Sequence, residues 1–240
     1  WIQKAADSGL SHAEYALGES YFTGDFTEQN LVLSLKYMQR AATKNVTSAQ
    51  VHLGRCYGSG SYGVTQNFQQ AFHYYWLAAQ KNDGFAIYQV GTYLGSGRLG
   101  IPDHEGYFRW MRKGAELGDA DCQAEIAINY FLGQVVREDI DKSMYWCKKA
   151  LEGGSRGADW LMSQAHRLGK GVEHDPQKAF AYLTKAAEKG CQRSQMELEK
   201  WTQVKNTATS SSQGETKIAD TTRSMSQGLE DAQDDLEIKN

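Results

Sequence analysis

Small and apolar residues recur along this chain in helical steps of three and four, and the whole pattern repeats every 36 or 37 residues. A small residue stands at Ala13, Ala49, Ala86, Cys122 and Ala158. Four positions on are Leu17, Leu53, Val90, Ile126 and Met162, followed directly by Gly18, Gly54, Gly91, Ala127 and Ser163. Then come Tyr21, Tyr57, Leu94, Tyr130 and His166, and three residues later Gly24, Gly60, Gly97, Gly133 and Gly169. This spacing predicts one amphipathic helix per unit, closed by a glycine turn.

A second helix follows in each unit. Asn30, Asn67, Asp103, Asp139 and Asp175 stand where a side chain can accept the orphan N–H groups of a first turn. Pro176 follows Asp175 at the first helical position, where proline is tolerated. Aromatic residues recur at Trp1, Tyr37, Tyr74, Trp110, Trp146 and Tyr182, with Ala5, Ala41, Ala78, Gly114, Ala150 and Ala186 one turn further on the same face. The small columns should let paired helices approach closely, and the aromatic column should fill the space between units. Each second helix then runs into Gly9, Asn45, Asn82, Gly118, Gly154 or Gly190, the residues expected in a left-handed conformation after a helix.

The predicted fold is therefore all-α, an α-solenoid of five helix–turn–helix units. A half unit covers residues 1–9, repeats cover about 10–45, 46–82, 83–118, 119–154 and 155–190, and a terminal helix covers 191–203. The extra residue of the second unit falls between Gly60 and Asn67, in a loop. No single unit can bury both its apolar faces, so stability comes from stacking. The terminal helix carries Gln192, Arg193, Gln195, Glu197 and Lys200 on its other face, as a capping element requires. Residues 204–240 read as a separate acidic tail: the last 35 residues hold ten Ser/Thr, seven acidic and three basic residues. That composition predicts disorder. Met225, Leu229, Ala232 and Leu236 alternate four-three-four, which leaves a helix folding on a partner as the alternative.

The segments "AEYALGESYFTG", "AQVHLGRCYGSG" and "RLGKGVEHDPQKAFAYLTKAAEKG" resemble the Sel-one-like repeat, a relative of the tetratricopeptide repeat. The resemblance covers residues 1–203. Departures from the family pattern include Tyr107, where a small residue is usual, and Gly114–Ala115 and Ala150–Leu151 in place of Ala-Ala. The resemblance implies a superhelix whose first helices line a concave surface and a role as a scaffold or adaptor for other proteins. Some cysteine-rich members of the family are described as binding or slowly hydrolysing β-lactams. Their cysteines recur once per helix, whereas Cys122 and Cys147 occupy different columns here, so a small hydrolase of that type is only the alternative. A purely structural spacer is a further one.

The period also disposes of a motif. Gly58, Gly60, Gly63 and Gly95, Gly97, Gly100 have the G-x-G-x-x-G spacing of a dinucleotide-binding turn. That turn must leave a buried strand, and helical periodicity precedes both copies. They are turn glycines between paired helices.

Composition narrows the function classes. The chain has 240 residues, 40% of them hydrophobic, and a net charge of −3. It has neither a basic footprint for nucleic acid nor an apolar run of the roughly 18 residues that span a bilayer, so the expected partners are proteins and not nucleic acid or the membrane interior. The chain begins at Trp1 without a signal segment and reads as a fragment, which leaves the compartment open. Cys56, Cys122, Cys147 and Cys191 follow no metal-ligand spacing and read as free buried thiols, favouring a reducing, cytoplasmic setting. A Cys122–Cys147 disulfide would instead suit a secreted or periplasmic one. His52 and Cys56 lie one turn apart, too few for a metal site or an activated nucleophile. No cofactor, metal or catalytic residue is expected.

If first helices line the concave face, the residues second, sixth and ninth beyond each small anchor face a ligand. The second gives Tyr15, Val51, Tyr88, Ala124 and Trp160; the sixth gives Glu19, Arg55, Thr92, Ile128 and Gln164; the ninth gives Phe22, Phe131 and Arg167, with Gly58 and Gly95 between them. This mixture of apolar anchors and orienting polar groups suits a groove for a peptide or domain. The competing reading is that Tyr15, Tyr88 and Trp160 pack between adjacent first helices.

Overall fold

The computed structural model describes residues 1–61 and 63–209. Twelve helices follow one another: α1 (Ile2–Asp7), α2 (Ser11–Thr23), α3 (Leu31–Thr43), α4 (Thr47–Ser59), α5 (Phe68–Ala79), α6 (Gly84–Gly95), α7 (His104–Glu116), α8 (Ala120–Leu132), α9 (Ile140–Glu152), α10 (Arg156–Leu168), α11 (Pro176–Glu188) and α12 (Gln192–Thr209). No strand occurs among the described residues. Each even-numbered helix from α2 to α10 packs most extensively on the helix after it, giving five antiparallel pairs, and each pair then stacks on the next. α12 continues six residues past the terminal helix expected to end at 203; residues 210–240 of the tail, including the Met225–Leu236 alternation, lie outside the described residues.

The predicted punctuation is the observed one. The side chains of Asn30, Asn67, Asp103, Asp139 and Asp175 accept from the third N–H beyond them, at 2.8–3.0 Å. The backbone N–H of each of these caps also reaches back across the turn to the carbonyl of Tyr21, Tyr57, Leu94, Tyr130 or His166, at 2.8–3.0 Å. This closing bond forms equally in the second unit, so its extra residue is absorbed within the loop. At the other end Asn45 and Asn82 have φ of 64° and 62°. A short polar side chain is tolerated there where most L-residues are strained.

The aromatic column packs against the preceding unit, as Tyr37 does beside Ala6 while accepting from Gln3 Nε2 at 3.0 Å, and in three units it also lies flat on the first helix of its own unit. Tyr37 stacks on Tyr21, Tyr74 on Tyr57 and Tyr182 on His166, with centroids 5.8–5.9 Å apart and planes within 13°. Three positions beyond four of these aromatics a cation lies over the ring, with Arg40 over Tyr37 at 5.4 Å, Lys113 over Trp110 at 5.0 Å, Lys149 over Trp146 at 5.2 Å and Lys185 over Tyr182 at 5.9 Å, whereas Leu77 holds that place after Tyr74. Trp1 is fully exposed.

A column the repeat pattern left unread holds the units together. The residue after each small anchor is buried: Glu14, Gln50, Ile87, Gln123 and Asp159. Glu14 pairs with Arg40 at 2.7 Å and Lys44 at 2.9 Å, and Lys44 also donates to the carbonyl of Gly9 at 2.8 Å. Lys81 joins Gln50 to the carbonyl of Asn45. Lys189 joins Asp159 to the carbonyl of Gly154, and Lys185 meets the other carboxylate oxygen at 3.0 Å. The same clamp thus recurs in three units, tying the end of one unit to the interior of the next.

Candidate functional site

Successive first helices meet along one side: α8 packs on α10, and α6 also touches α8. α6, α8 and α10, with the start of α12, enclose a cleft of about 320 Å³. Phe85, Tyr88 and Gln89 come from α6, Ala124, Glu125 and Ile128 from α8, Arg156 and Trp160 from α10, and Cys191 and Arg193 from the entry to α12. Asp83, Asp119 and Ser155 cap these helices by accepting from Ala86, Cys122 and Gly157 N–H groups, so the turns at the cleft edge are fixed by their own side chains.

The cleft floor is built around Glu125. Tyr107, on the second helix α7, donates to Glu125 Oε2 at 2.7 Å, and Tyr88 donates to Oε1 at 3.5 Å. Asn129 Nδ2 donates to Tyr107 Oη at 3.0 Å and to the Glu125 carbonyl at 2.8 Å. Tyr107 can cross to α8 because Gly95 lies beneath its ring; a Cβ at Gly95 would come within 3.2 Å of it. The departure from the small-residue pattern at Tyr107 is therefore part of the site. Burial is the main cause raising the Glu125 carboxyl above the usual carboxylate range, and the Asp121 charge adds to it. The Tyr107 and Tyr88 hydroxyls and the Arg193 charge act the other way.

A carboxyl raised on folding stabilises the fold most fully below its unfolded pKa, and that contribution is lost as the pH climbs through the folded value. Glu125→Gln should therefore raise the melting temperature relative to wild type near pH 8 and change it little near pH 4, in thermal melts followed by circular dichroism. An equal shift at both pH values would contradict this origin.

The sequence-predicted ladder divides into three groups. Tyr88 and Ile128 line the cleft half-buried, and Thr92 sits one turn above Tyr88, its hydroxyl donating to the Tyr88 carbonyl at 2.9 Å. Tyr15, Glu19, Val51 and Arg55 form an adjoining patch on α2 and α4. The Tyr15 hydroxyl donates to Glu19 and is pushed up to about 12, first by burial and then by that carboxylate. Arg55 is exposed and its guanidinium lies 4.7 Å from the Phe85 ring centroid, which carries the patch onto α6. Val51 is half-buried against the neighbouring core.

The third group is largely taken up by packing, although Trp160 keeps an edge on the cleft. Phe131 is 2% exposed beneath Lys170, whose ammonium lies 4.8 Å from the ring centroid. Trp160 and Gln164 are each 7% exposed and donate to the two oxygens of Glu197 on α12, at 3.3 and 3.0 Å. Arg167 spends its guanidinium on Gln164 Oε1. Phe22 meets His52 edge-on at 5.3 Å. The unit that follows packs over Phe131, Trp160 and Gln164, while Phe22 and Arg167 stay half-buried. Trp160 thus makes the contact between first helices that the competing reading described.

Counting only from the face opposite the core missed the columns one before and three beyond each anchor. Phe85, Asp121 and Arg193 occupy the first, and His52, Gln89, Glu125 and Glu197 the second. A helical wheel centred between neighbouring first helices would have shown them, since these two columns lie one turn from each other, beside the second-position column.

No group of three or more metal-ligating side chains occurs among the described residues. All four cysteines are free. Burial pushes the Cys56 thiol up to about 11 and the Cys147 thiol up to about 12, and raises Cys122 further. A thiolate nucleophile needs the opposite shift.

The Sel1 repeat model matches residues 11–46, 47–83, 84–119, 120–155 and 158–191, each one of the helix pairs described above. The chain belongs to the Sel1 repeat family. A Sel1 repeat protein from Oxalobacter formigenes superposes with a TM-score of 0.68 at 26% identity, covering 80% of this chain and 78% of that one. The protective antigen c5321 of uropathogenic Escherichia coli, with an SLR fold, gives 0.61 at 26% identity, over 82% of this chain and 50% of its own. Among curated relatives, protein SHC1 of Saccharomyces cerevisiae is 30% identical over 159 residues, which is 62% of this chain and 31% of SHC1. Chitin synthase regulatory factor 4 of Schizosaccharomyces pombe is 28% identical over 157 residues, 61% of this chain and 24% of that protein. Chitin synthase regulator SKT5 of Malassezia restricta is 26% identical over 168 residues, 66% of this chain and 11% of that protein. The Sel1 region thus spans less than a third of each of these relatives. No described helix is long and apolar enough to cross a membrane.

Proposed function

We propose that this Sel1 repeat chain is a non-enzymatic scaffold that holds a partner protein on its first-helix face and thereby assembles or regulates a larger complex. One observation carries the reading. Exposed charged side chains that form no ion pair among the described residues, Glu19, Arg55, Asp121 and Arg193, run along one side of the stack and flank an open cleft with aromatic walls. Long inner surfaces of this kind are what stacked repeats use for binding. The relatives named as chitin synthase regulators favour regulation of an enzyme complex over a passive spacer, and make a chitin synthase assembly the first partner to examine. The raised thiols weigh against the cysteine-dependent hydrolase.

Arg55→Glu/Asp121→Lys changes two exposed side chains of this face. The full chain carrying both changes should keep the wild-type circular dichroism spectrum and lose its specific partner in co-purification from its source cells. Recovery of the same partner in the same yield would contradict the proposal.

A further inference from the structure

The chain treats its inner carboxylates in two ways. Glu14 and Asp159, both fully buried, are each held by two cations. Asp121 and Glu125 lie one helical turn apart on α8, at the cleft, and neither has a cation within 4 Å among the described residues. Their partners are neutral. Asp121 Oδ1 accepts from Ser155 Oγ at 2.7 Å, and Glu125 accepts only tyrosine hydroxyls. Like charges at this spacing repel each other, and the cleft confines them beside aromatic rings that screen poorly.

The two arginines at the rim are engaged elsewhere. The Arg193 guanidinium lies 4.6 Å from the Trp160 ring centroid, and Arg156 Nη1 donates to the Gly190 carbonyl at 3.3 Å. The cleft therefore offers at one end two carboxylates without an ion pair, on which the Arg193 charge acts only from beyond contact range, and apolar surface from Phe85, Tyr88 and Ile128 along its wall. Its volume of about 320 Å³ accepts a side chain or two, not a folded domain.

Resting on the scaffold reading above, we propose that this cleft takes an extended partner segment bearing a lysine or arginine, the cation lying against Asp121 and Glu125 and apolar neighbours lying on Phe85, Tyr88 and Ile128. Long basic side chains suit the site because their methylene stems can cover the aromatic wall while the charged head reaches the carboxylates. A charge-assisted pair in this partly desolvated place gives specificity as well as affinity. An acidic segment would have to pull the arginines from their present contacts and face the carboxylates.

The probe is a randomised octapeptide library displayed on phage, selected against the full 240-residue chain. Selection should fix Lys or Arg at one position with apolar residues beside it. The synthetic consensus peptide should lose about tenfold or more in affinity when that residue is changed to methionine, and similarly against Asp121→Asn/Glu125→Gln, a change of about 1.4 kcal/mol or more. Circular dichroism should match wild type. A consensus that is acidic or wholly apolar, or one bound equally by Asp121→Asn/Glu125→Gln, overturns the cationic assignment. If such a peptide is still lost on Arg55→Glu/Asp121→Lys, the first-helix face stands as the binding surface and only the charge class falls. Peptides indifferent to both double variants, or no selected peptide at all, would overturn both readings.

Discussion

Removing both cations from Asp159, as Lys185→Met/Lys189→Met, is expected to cost the array about 3–5 kcal/mol in chemical denaturation, because it leaves a buried charge without a counter-ion. Asp159 is fully buried on α10, whereas the two lysine side chains are 52% and 33% exposed. The asymmetry supplies a control. Asp159→Asn leaves two ammonium groups that can turn to water, so its cost should be about 1–3 kcal/mol, the loss of hydrogen bonds at a buried polar site. Lys189 also bonds the Gly154 carbonyl, so the double variant loosens the joint between the fourth and fifth pairs as well. Equal costs for Lys185→Met/Lys189→Met and Asp159→Asn would mean that the pair acts as an ordinary surface bridge and not as a buried clamp.

Gly114→Ala is expected to destabilise by about 1–3 kcal/mol through overpacking, and Cys122→Ala to offset much of that in the same chain. In most units an alanine on the second helix meets an alanine on the following first helix, as Ala41 does near Ala49. In the third joint the anchor is Cys122, and its partner position is Gly114. A Cβ on Gly114 would meet Cys122 Sγ, and would stand 2.9 Å from both Cys122 Cβ and Ile87 Cγ2. Both side chains, Cys122 and Ile87, are in the close-packed core. The cycle Gly114→Ala, Cys122→Ala and Gly114→Ala/Cys122→Ala, measured by urea unfolding, should show a favourable coupling of about 0.5–3 kcal/mol. Additive losses would show that the glycine is not there to accommodate the sulfur.

The same pairing explains what the sequence could and could not disclose. Periodicity, caps and left-handed termini depend on each residue's own backbone, and they repeat in register. Asn30 through Asp175 and Asn45 with Asn82 were therefore legible one unit at a time. Compensations between columns were not. Gly114 reads as a departure until Cys122 is placed against it, and Tyr107 reads as an oversized residue until Gly95 is found beneath its ring. Glu14, Gln50, Ile87, Gln123 and Asp159 look like a mixed, solvated column because their chemistry varies; the partners of Glu14, Gln50 and Asp159 are lysines some thirty residues away.

The site was half legible for a related reason. The second and sixth columns share one side of each first helix, so Tyr88 and Ile128 at the cleft and Tyr15, Glu19 and Arg55 beside it were legible from helical geometry alone. How far the next unit overlaps them depends on the crossing of successive first helices, which no single repeat encodes. That overlap buries Phe131, Trp160 and Gln164 and brings Asp121, Glu125 and Arg193 to the surface of the cleft instead.

The central claim is that partners are held on the first-helix face. Hydrogen–deuterium exchange of the full chain, alone and with the partner recovered by co-purification, tests it most directly, because exchange reports protection segment by segment. The account predicts slowed exchange in the amides of α6, α8 and α10, with little change in α7, α9 and α11. Protection confined to the second helices, or to residues 210–240, would contradict it.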